Sequence, residues 1–235
     1  MYRQLPSMAV LHSGVTSTGV ECWTPFPQEY DMLVGSIVER SRANGPGQRT
    51  VIWLQGCDRG CDDCCNPELQ PFSSPYADSV DPVELCEIVM GVLSAGGVRG
   101  VTLSGGEPLH PIHRTDLASF LRMLRMRSSS SGIPVDVMAF TGYRKAEIES
   151  EAFSDILPLI DMAIAGPYVH ELSNPNGVVA STNQEIVRVT DAFDDVSDDE
   201  LINGQRIVGV HIFSDGFVRV TGLQSVADAR SLLGL

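Results

Sequence analysis

Three cysteines carry the most specific chemistry in this chain. Cys57, Cys61 and Cys64 stand in a C-x3-C-x2-C spacing within Gln55-Gly56-Cys57-Asp58-Arg59-Gly60-Cys61-Asp62-Asp63-Cys64-Cys65-Asn66-Pro67, directly behind the apolar run 50–54. A short loop at a strand end can fold three thiols around one inorganic centre. An iron–sulfur cubane normally takes four thiolates, so three leave one iron open to a further ligand. An open position is what separates reactive from structural zinc sites, and the same logic applies here. Other readings compete. A zinc site more often shows two separated Cys or Cys/His pairs. Cys65, Cys22 or Cys86 could add a fourth thiol, but no second ligand pair is visible. The ferredoxin run C-x2-C-x2-C-x3-C-P is absent. A disulfide in an oxidising compartment would leave the spacing without meaning.

A second stretch, Val101-Thr102-Leu103-Ser104-Gly105-Gly106-Glu107-Pro108, runs a short apolar strand into a loop with two glycines and a carboxylate. Paired glycines let backbone approach a ligand closely. Glu107 could accept a hydrogen bond from a ligand ammonium. Alone, such a loop is usually just a turn. One strand–helix unit behind a three-thiol loop, it is far more specific.

The elements that must position these loops follow from periodicity. Apolar runs at 32–38, 50–55, 100–103 and 135–140 read as strands, and 156–164 as a helix end followed by a strand. Asp81-Pro82-Val83-Glu84 combines an N-cap, a first-turn proline and an acid, and so starts a helix that Gly96-Gly97 ends. Val83, Cys86, Val89, Met90 and Leu93 repeat at helical spacing, which places Cys86 in the core rather than on a metal. Leu117, Phe120, Leu121 and Leu124 mark a second amphipathic helix, and Ser128–Gly132 reads as a linker turn. His110 and His113 fall in a loop, where histidines are more often solvated. Thr141-Gly142-Tyr143 ends one strand, a short acidic helix spans 144–151, and Asp161 opens the next strand. Glu185–Val189 reads as a strand, and Asn183 and Gln184 face a ligand or merely satisfy loop backbone. Residues 191–200 carry six acids in ten and read as a solvated segment. Ile207–Phe213 and Phe217–Val220 flank Asp215-Gly216 and form a hairpin, with a short helix over 228–235.

Together the three-thiol loop and the Gly-Gly-Glu loop resemble the radical S-adenosylmethionine (SAM) superfamily. More closely, the chain is similar to the activating enzymes of anaerobic ribonucleotide reductase. The likeness spans about residues 34–223 and rests on Asn44-Gly-Pro-Gly-Gln-Arg-Thr50, Asn66-Pro67-Glu68, Ser104-Gly-Gly-Glu-Pro108, Thr141-Gly-Tyr143, Asp161 with Gly166-Pro167-Tyr168, Ser181-Thr-Asn-Gln184, and Asp215-Gly216-Phe217 with Thr221-Gly222. It implies an α/β fold, a partial open (β/α) barrel with an N-terminal extension (1–32), a radical SAM domain (33–235) and a C-terminal β-hairpin. It implies a [4Fe–4S] cluster on Cys57, Cys61 and Cys64, with SAM on the fourth iron. Ser104, Gly105, Gly106 and Glu107 would line the SAM amino group, with Cys65 and Thr141 also beside the cofactor. Reductive cleavage of SAM would yield a 5′-deoxyadenosyl radical that abstracts hydrogen, activating a glycyl-radical enzyme or modifying another protein, peptide or small metabolite. The electron donor would be of the flavodoxin or ferredoxin kind. Two positions depart from the pattern: Cys65 stands where such proteins carry an aromatic residue near the adenine, and Ala165 where they carry an Asp.

Composition narrows the rest. At 235 residues, 43% hydrophobic and 20% charged, the chain reads as an ordinary globular protein with ample core. Its net charge of −14 argues against nucleic acid as a partner. No apolar run reaches membrane-spanning length, and the first residues lack the pattern of a signal peptide. Six cysteines, three of them in one loop, point to a reducing cytoplasm.

Overall fold

The run 50–54 lies in a strand with every residue buried, which explains why it shows no polar alternation. The computed structural model describes residues 32–212, 218–222 and 234. Its main sheet holds β1 (Met32–Ser41), β2 (Arg49–Leu54), β3 (Asp78–Val80), β4 (Gly100–Gly105), β5 (Asp136–Thr141), β6 (Met162–Ala165) and β7 (Glu185–Arg188), in the order β3-β1-β2-β4-β5-β6-β7. β2, β4, β5 and β6 run parallel. β1 and β7 flank these four strands antiparallel, and β3 pairs antiparallel with the outer side of β1. The fold is thus mixed α/β around a mostly parallel sheet. Two further strands, β8 (Gly209–Ile212) and β9 (Val218–Thr221), pair antiparallel as the expected hairpin. Its tip at 213–217, residues 1–31 of the expected extension, and the stretch expected as a terminal helix apart from Gly234 lie outside the described residues, whereas Met32 already belongs to β1.

Helices α1 (Pro82–Ser94) and α2 (Pro111–Ser131) cross over between parallel strands and cover one face of the sheet. The α1 start is as the sequence implies: Asp81 Oδ1 accepts from Val83 N at 2.7 Å and Glu84 N at 3.3 Å. Cys86 is fully buried among Leu85, Val89 and Leu117, a core residue as expected. Ser128–Ser131 is not a linker turn. It is the last turn of α2, closed by Gly132 in the left-handed region at φ 68°. The hydroxyls of Ser130 and Ser131 donate back to Arg127 O at 3.1 and 2.7 Å, which absorbs the polarity that made this stretch read as loop.

On the opposite face, Val179, Phe193, Val196 and Leu201 cover Met138, Met162 and Ile164 of β5 and β6. The six acids at 191–200 are exposed, as expected, but the segment is anchored. Phe193 is fully buried beneath Arg49 and Arg99, and Asp195 takes Arg99 through two 2.7 Å bonds. Helix α3 (Lys145–Ile148) and α4 (Asp198–Asn203) are short.

At the N-terminal ends of the strands, Arg49 is wholly buried and pairs with Asp136 at 2.6 Å. Asp161, which the resemblance brings forward, is structural: its carboxylate accepts from Arg125 (2.6 Å), Val137 N (2.7 Å) and Thr190 (2.7 Å). Among the described residues no helix is long and apolar enough to cross a membrane.

Candidate iron–sulfur and cofactor site

At the C-terminal ends of β2, β4, β5 and β6 opens a cleft of about 330 Å³. Ligand sites in open parallel sheets lie at these ends. The cleft gathers the three candidate cluster thiols and every candidate cofactor-contacting residue. Cys57, Cys61, Cys64 and Cys65 come from the β2 loop, Ser104–Glu107 from the β4 loop, and Thr141 from the end of β5. Trp53 and Phe140 supply its apolar walls, and Gly166 and Tyr168 reach it from β6.

The thiol loop is shaped by three left-handed residues, Gly56 (φ 107°), Gly60 (φ 60°) and Asp63 (φ 52°). Its returning limb, Asn66-Pro67-Glu68, packs back as one 3-10 turn with Leu69 buried. Gly56 N and Cys57 N donate to Leu69 O and Gln70 O, both at 2.8 Å. Gln55 Nε2 ties the same limb through Pro71 O at 2.6 Å. Backbone amides then meet the sulfurs: Arg59 N donates to Cys57 Sγ and Asn66 N to Cys64 Sγ, both at 3.4 Å, and Tyr168 N faces Cys61.

These cysteines are free thiols, which removes the disulfide reading for them. Burial pushes the Cys57 and Cys61 thiols up. Cys64 is pulled down to about 6, chiefly by a hydrogen bond with the Cys65 thiol. Three soft donors on one loop, two of them accepting from backbone amides, fit an iron–sulfur centre in kind, since N–H bonds to the sulfurs are a recurrent feature of such sites. Among the described residues no three Cys, His, Asp or Glu side chains already converge on one point, so the thiols share a cleft without being closed on a centre.

The paired glycines serve loop-to-loop contact. A Cβ on Gly106 would stand 2.3 Å from Gly56 O and 2.7 Å from Leu69 O; one on Gly105 would stand 2.4 Å from Leu54 O. The space goes instead to backbone bonds of 2.8 Å, Gly106 N to Leu54 O and Glu107 N to Gly56 O, which zip the β4 loop to the thiol loop. Gly106→Ala is expected to push these loops apart, lowering iron bound per chain after anaerobic reconstitution and costing about 1–3 kcal/mol in urea unfolding. Wild-type iron content in that variant would show the contact to be dispensable.

Glu107 is fully buried. Its Oε1 accepts from Thr141 Oγ1 (2.7 Å) and Leu109 N (3.0 Å), and its Oε2 from Gly142 N (2.7 Å). Burial raises it to about 7. Both oxygens are therefore already engaged by the chain itself, locking the β4 loop to the β5 loop beside the cleft.

Several contacts escaped sequence reading. Arg59, inside the thiol loop, lies 3.9 Å over the Tyr143 ring and 3.7 Å from Glu147, pinning that loop to the Thr141-Gly142-Tyr143 turn. A cation within the thiol run and a lone aromatic in the turn were the only signals. His113 is not solvated: it sits in the first turn of α2, buried, with Nε2 2.8 Å from Gln55 O and a pKa drawn down to about 4 by burial. His110 caps the same helix through Ile112 N at 3.2 Å. Asn183 satisfies loop backbone, donating to Pro167 O at 2.8 Å, whereas Gln184 both donates to Gly166 O at 2.9 Å and lines the cleft. Ala165 is buried in the apolar core, so position 165 offers the cleft no polar group.

The profile of the 4Fe-4S single cluster domain family matches residues 43–187. Three anaerobic ribonucleoside-triphosphate reductase-activating proteins are similar. That of Vibrio cholerae is 30% identical over 151 residues, spanning 63% of this chain and 92% of the relative. That of Haemophilus influenzae is 29% identical over 145 residues, spanning 61% and 89%. That of Escherichia coli K12 is 26% identical over 152 residues, spanning 61% and 90%. Among solved structures, QueE from Escherichia coli aligns at TM-score 0.38 and 16% identity, over 48% of this chain and 53% of that one.

Proposed function

The chain belongs to the 4Fe-4S single cluster domain family and, with the activating enzymes it resembles, to the radical SAM superfamily, and from that premise we propose that it cleaves SAM reductively to activate a glycyl-radical enzyme such as anaerobic ribonucleotide reductase. The observation that carries this reading is the convergence of the three-thiol loop, the Gly-Gly-Glu loop and the Thr141-Gly142 turn on one cleft. Cys57, Cys61 and Cys64 would hold the [4Fe–4S] cluster, and Ser104–Glu107 with Cys65 and Thr141 would border SAM. When bound, this cofactor pair supplies a 5′-deoxyadenosyl radical for hydrogen abstraction.

The chain's own residues do the positioning. Arg59 on Tyr143 holds the thiol loop, Glu107 couples the β4 and β5 loops, and Trp53 with Phe140 keeps one wall of the cleft apolar. The parallel strands around this cleft support reading the sheet as the partial (β/α) barrel of the superfamily. An electron donor of the flavodoxin or ferredoxin kind would reduce the cluster. Ala165, which brings no carboxylate to the cleft, favours a second reading in which the same chemistry acts on a peptide or small metabolite.

The test is anaerobic reconstitution with iron and sulfide, reduction, addition of SAM, and chromatography for 5′-deoxyadenosine beside a Cys61→Ala control. Product that vanishes in the control is expected. Adding an anaerobic ribonucleotide reductase should then give a glycyl-radical electron-spin signal. Active SAM cleavage with no such signal would remove that substrate and favour the second reading. Absence of product from the unmodified protein despite an intact cluster, with or without the partner, would count against the reaction itself.

A further inference from the structure

Three side chains of the segment 181–184 turn to one neighbouring loop. Ser181 Oγ accepts from Val169 N at 3.3 Å, Asn183 Nδ2 donates to Pro167 O at 2.8 Å, and Gln184 Nε2 donates to Gly166 O at 2.9 Å. Gln184 is itself fixed, its Oε1 accepting from Ala180 N (2.9 Å) and Ser181 N (3.2 Å). From the other side, Gly166 N donates to Thr141 O at 3.0 Å. A Cβ on Gly166, whose φ is 129°, would meet Gln184 Cα at 3.4 Å. Gly166, Pro167 and Val169, which flank Tyr168 on both sides, are thus clamped where β6 reaches the cleft. Side chains that cross-brace a loop in this way preorganise what the loop carries.

What it carries is Tyr168. The backbone N–H of Tyr168 faces the Cys61 thiol, and its side chain lines the cleft. Its hydroxyl is buried and has no hydrogen-bond partner among the described residues, the one hydroxyl in that condition. Buried hydroxyls are nearly always paired, so an orphan calls for an explanation, and a missing ligand is one. The neighbouring Ala165 presents no polar atom, so Tyr168 is the polar side chain that the end of β6 brings to the cleft. Because its side chain lines the cleft together with Cys57, Cys61 and Cys64, the residue belongs to the cavity that holds the thiols, where a ligand of the cluster would sit.

We propose that Tyr168 is a cofactor-contacting residue whose hydroxyl bonds a polar group of SAM beside Cys61, and that Ser181, Asn183 and Gln184 are the positioning residues that hold it there. This rests on the radical SAM reading above.

The decisive variant is Tyr168→Phe, which removes only the hydroxyl. SAM binding to the anaerobically reconstituted protein, measured by calorimetry, should weaken about three- to tenfold, the loss of one hydrogen bond. Iron content and the cluster absorption spectrum should not change. The melting temperature of the reconstituted protein without SAM should stay level or rise, because an unpaired buried hydroxyl has been removed. Asn183→Ala should weaken SAM binding in the same direction at unchanged iron content. Wild-type affinity in Tyr168→Phe would overturn the contact, and so would a lowered melting temperature with affinity intact, which would mark the hydroxyl as structural. Wild-type affinity in Asn183→Ala would overturn the brace. Absence of SAM binding by the unmodified protein would instead sink the radical SAM reading, and this assignment with it.

Discussion

Asp136→Ala is expected to destabilise the fold by about 3–5 kcal/mol, the cost of leaving a buried charge without its partner. Asp136 stands at the start of β5, and both of its oxygens are taken. One lies 2.6 Å from Arg49 and the other bonds Arg99. Arg49 has no route to water: its side chain is 0% exposed, and burial already draws its pKa down. Without the carboxylate it would keep Thr102 Oγ1 and Val101 O, each at 2.7 Å, with the Phe193 ring 5.3 Å away. Neutral acceptors and a ring face compensate a buried guanidinium only in part. Urea unfolding should show the loss as a lower midpoint at unchanged slope, with Asp136→Asn in between. A shift worth under about 1 kcal/mol would mean that the carbonyls and the ring alone solvate Arg49. The pair lies at the N-terminal ends of the strands, opposite the cleft, so activity per folded molecule should survive.

That network also marks where sequence reading stops. The site was legible because its signals are local. Cys57, Cys61 and Cys64 sit within eight residues of one another, and Ser104–Glu107 are contiguous. Strand-then-loop order told which end of the sheet they share. By contrast, the roles of Arg49, Asp136, Arg99 and Asp195 depend on partners brought together from four distant stretches, and nothing in their local pattern distinguishes them from surface charges. His113 misled for the same reason. Its neighbours Pro111 and His110 read as loop, yet Pro111 opens α2 and turns the ring beneath Gln55. Ser128–Ser131 failed through propensity: serines usually compete with helix backbone, but here their hydroxyls are spent inside the last turn.

Glu107 shows the distinction most sharply, because its type was informative while its environment was not. A carboxylate behind two glycines suggested a ligand acceptor; the fold buries it and gives it three donors of its own. Two effects oppose. Desolvation favours the protonated form, whereas the bonds from Thr141, Leu109 and Gly142 and the nearby Arg59 favour the ionised one. Desolvation wins and sets the group at about 7, against an ordinary value of 4.5. The sign follows from linkage. The folded state binds the proton more tightly than the unfolded state, so between those two values the unfolded state carries fewer protons and stability falls as pH rises. The full penalty, about 3 kcal/mol above pH 7, is absent below 4.5. Other carboxylates work the opposite way, as with Asp195, which Arg99 holds below its ordinary value. The clean readout is therefore a difference. Unfolding free energies of wild type and Glu107→Gln, measured across pH 5 to 8, should diverge in favour of the glutamine variant by about 2 kcal/mol as the pH rises. A flat difference would mean that Glu107 is ionised throughout, its three donors outweighing burial, and that the β4 and β5 loops are joined beside the cleft by a carboxylate rather than a carboxylic acid.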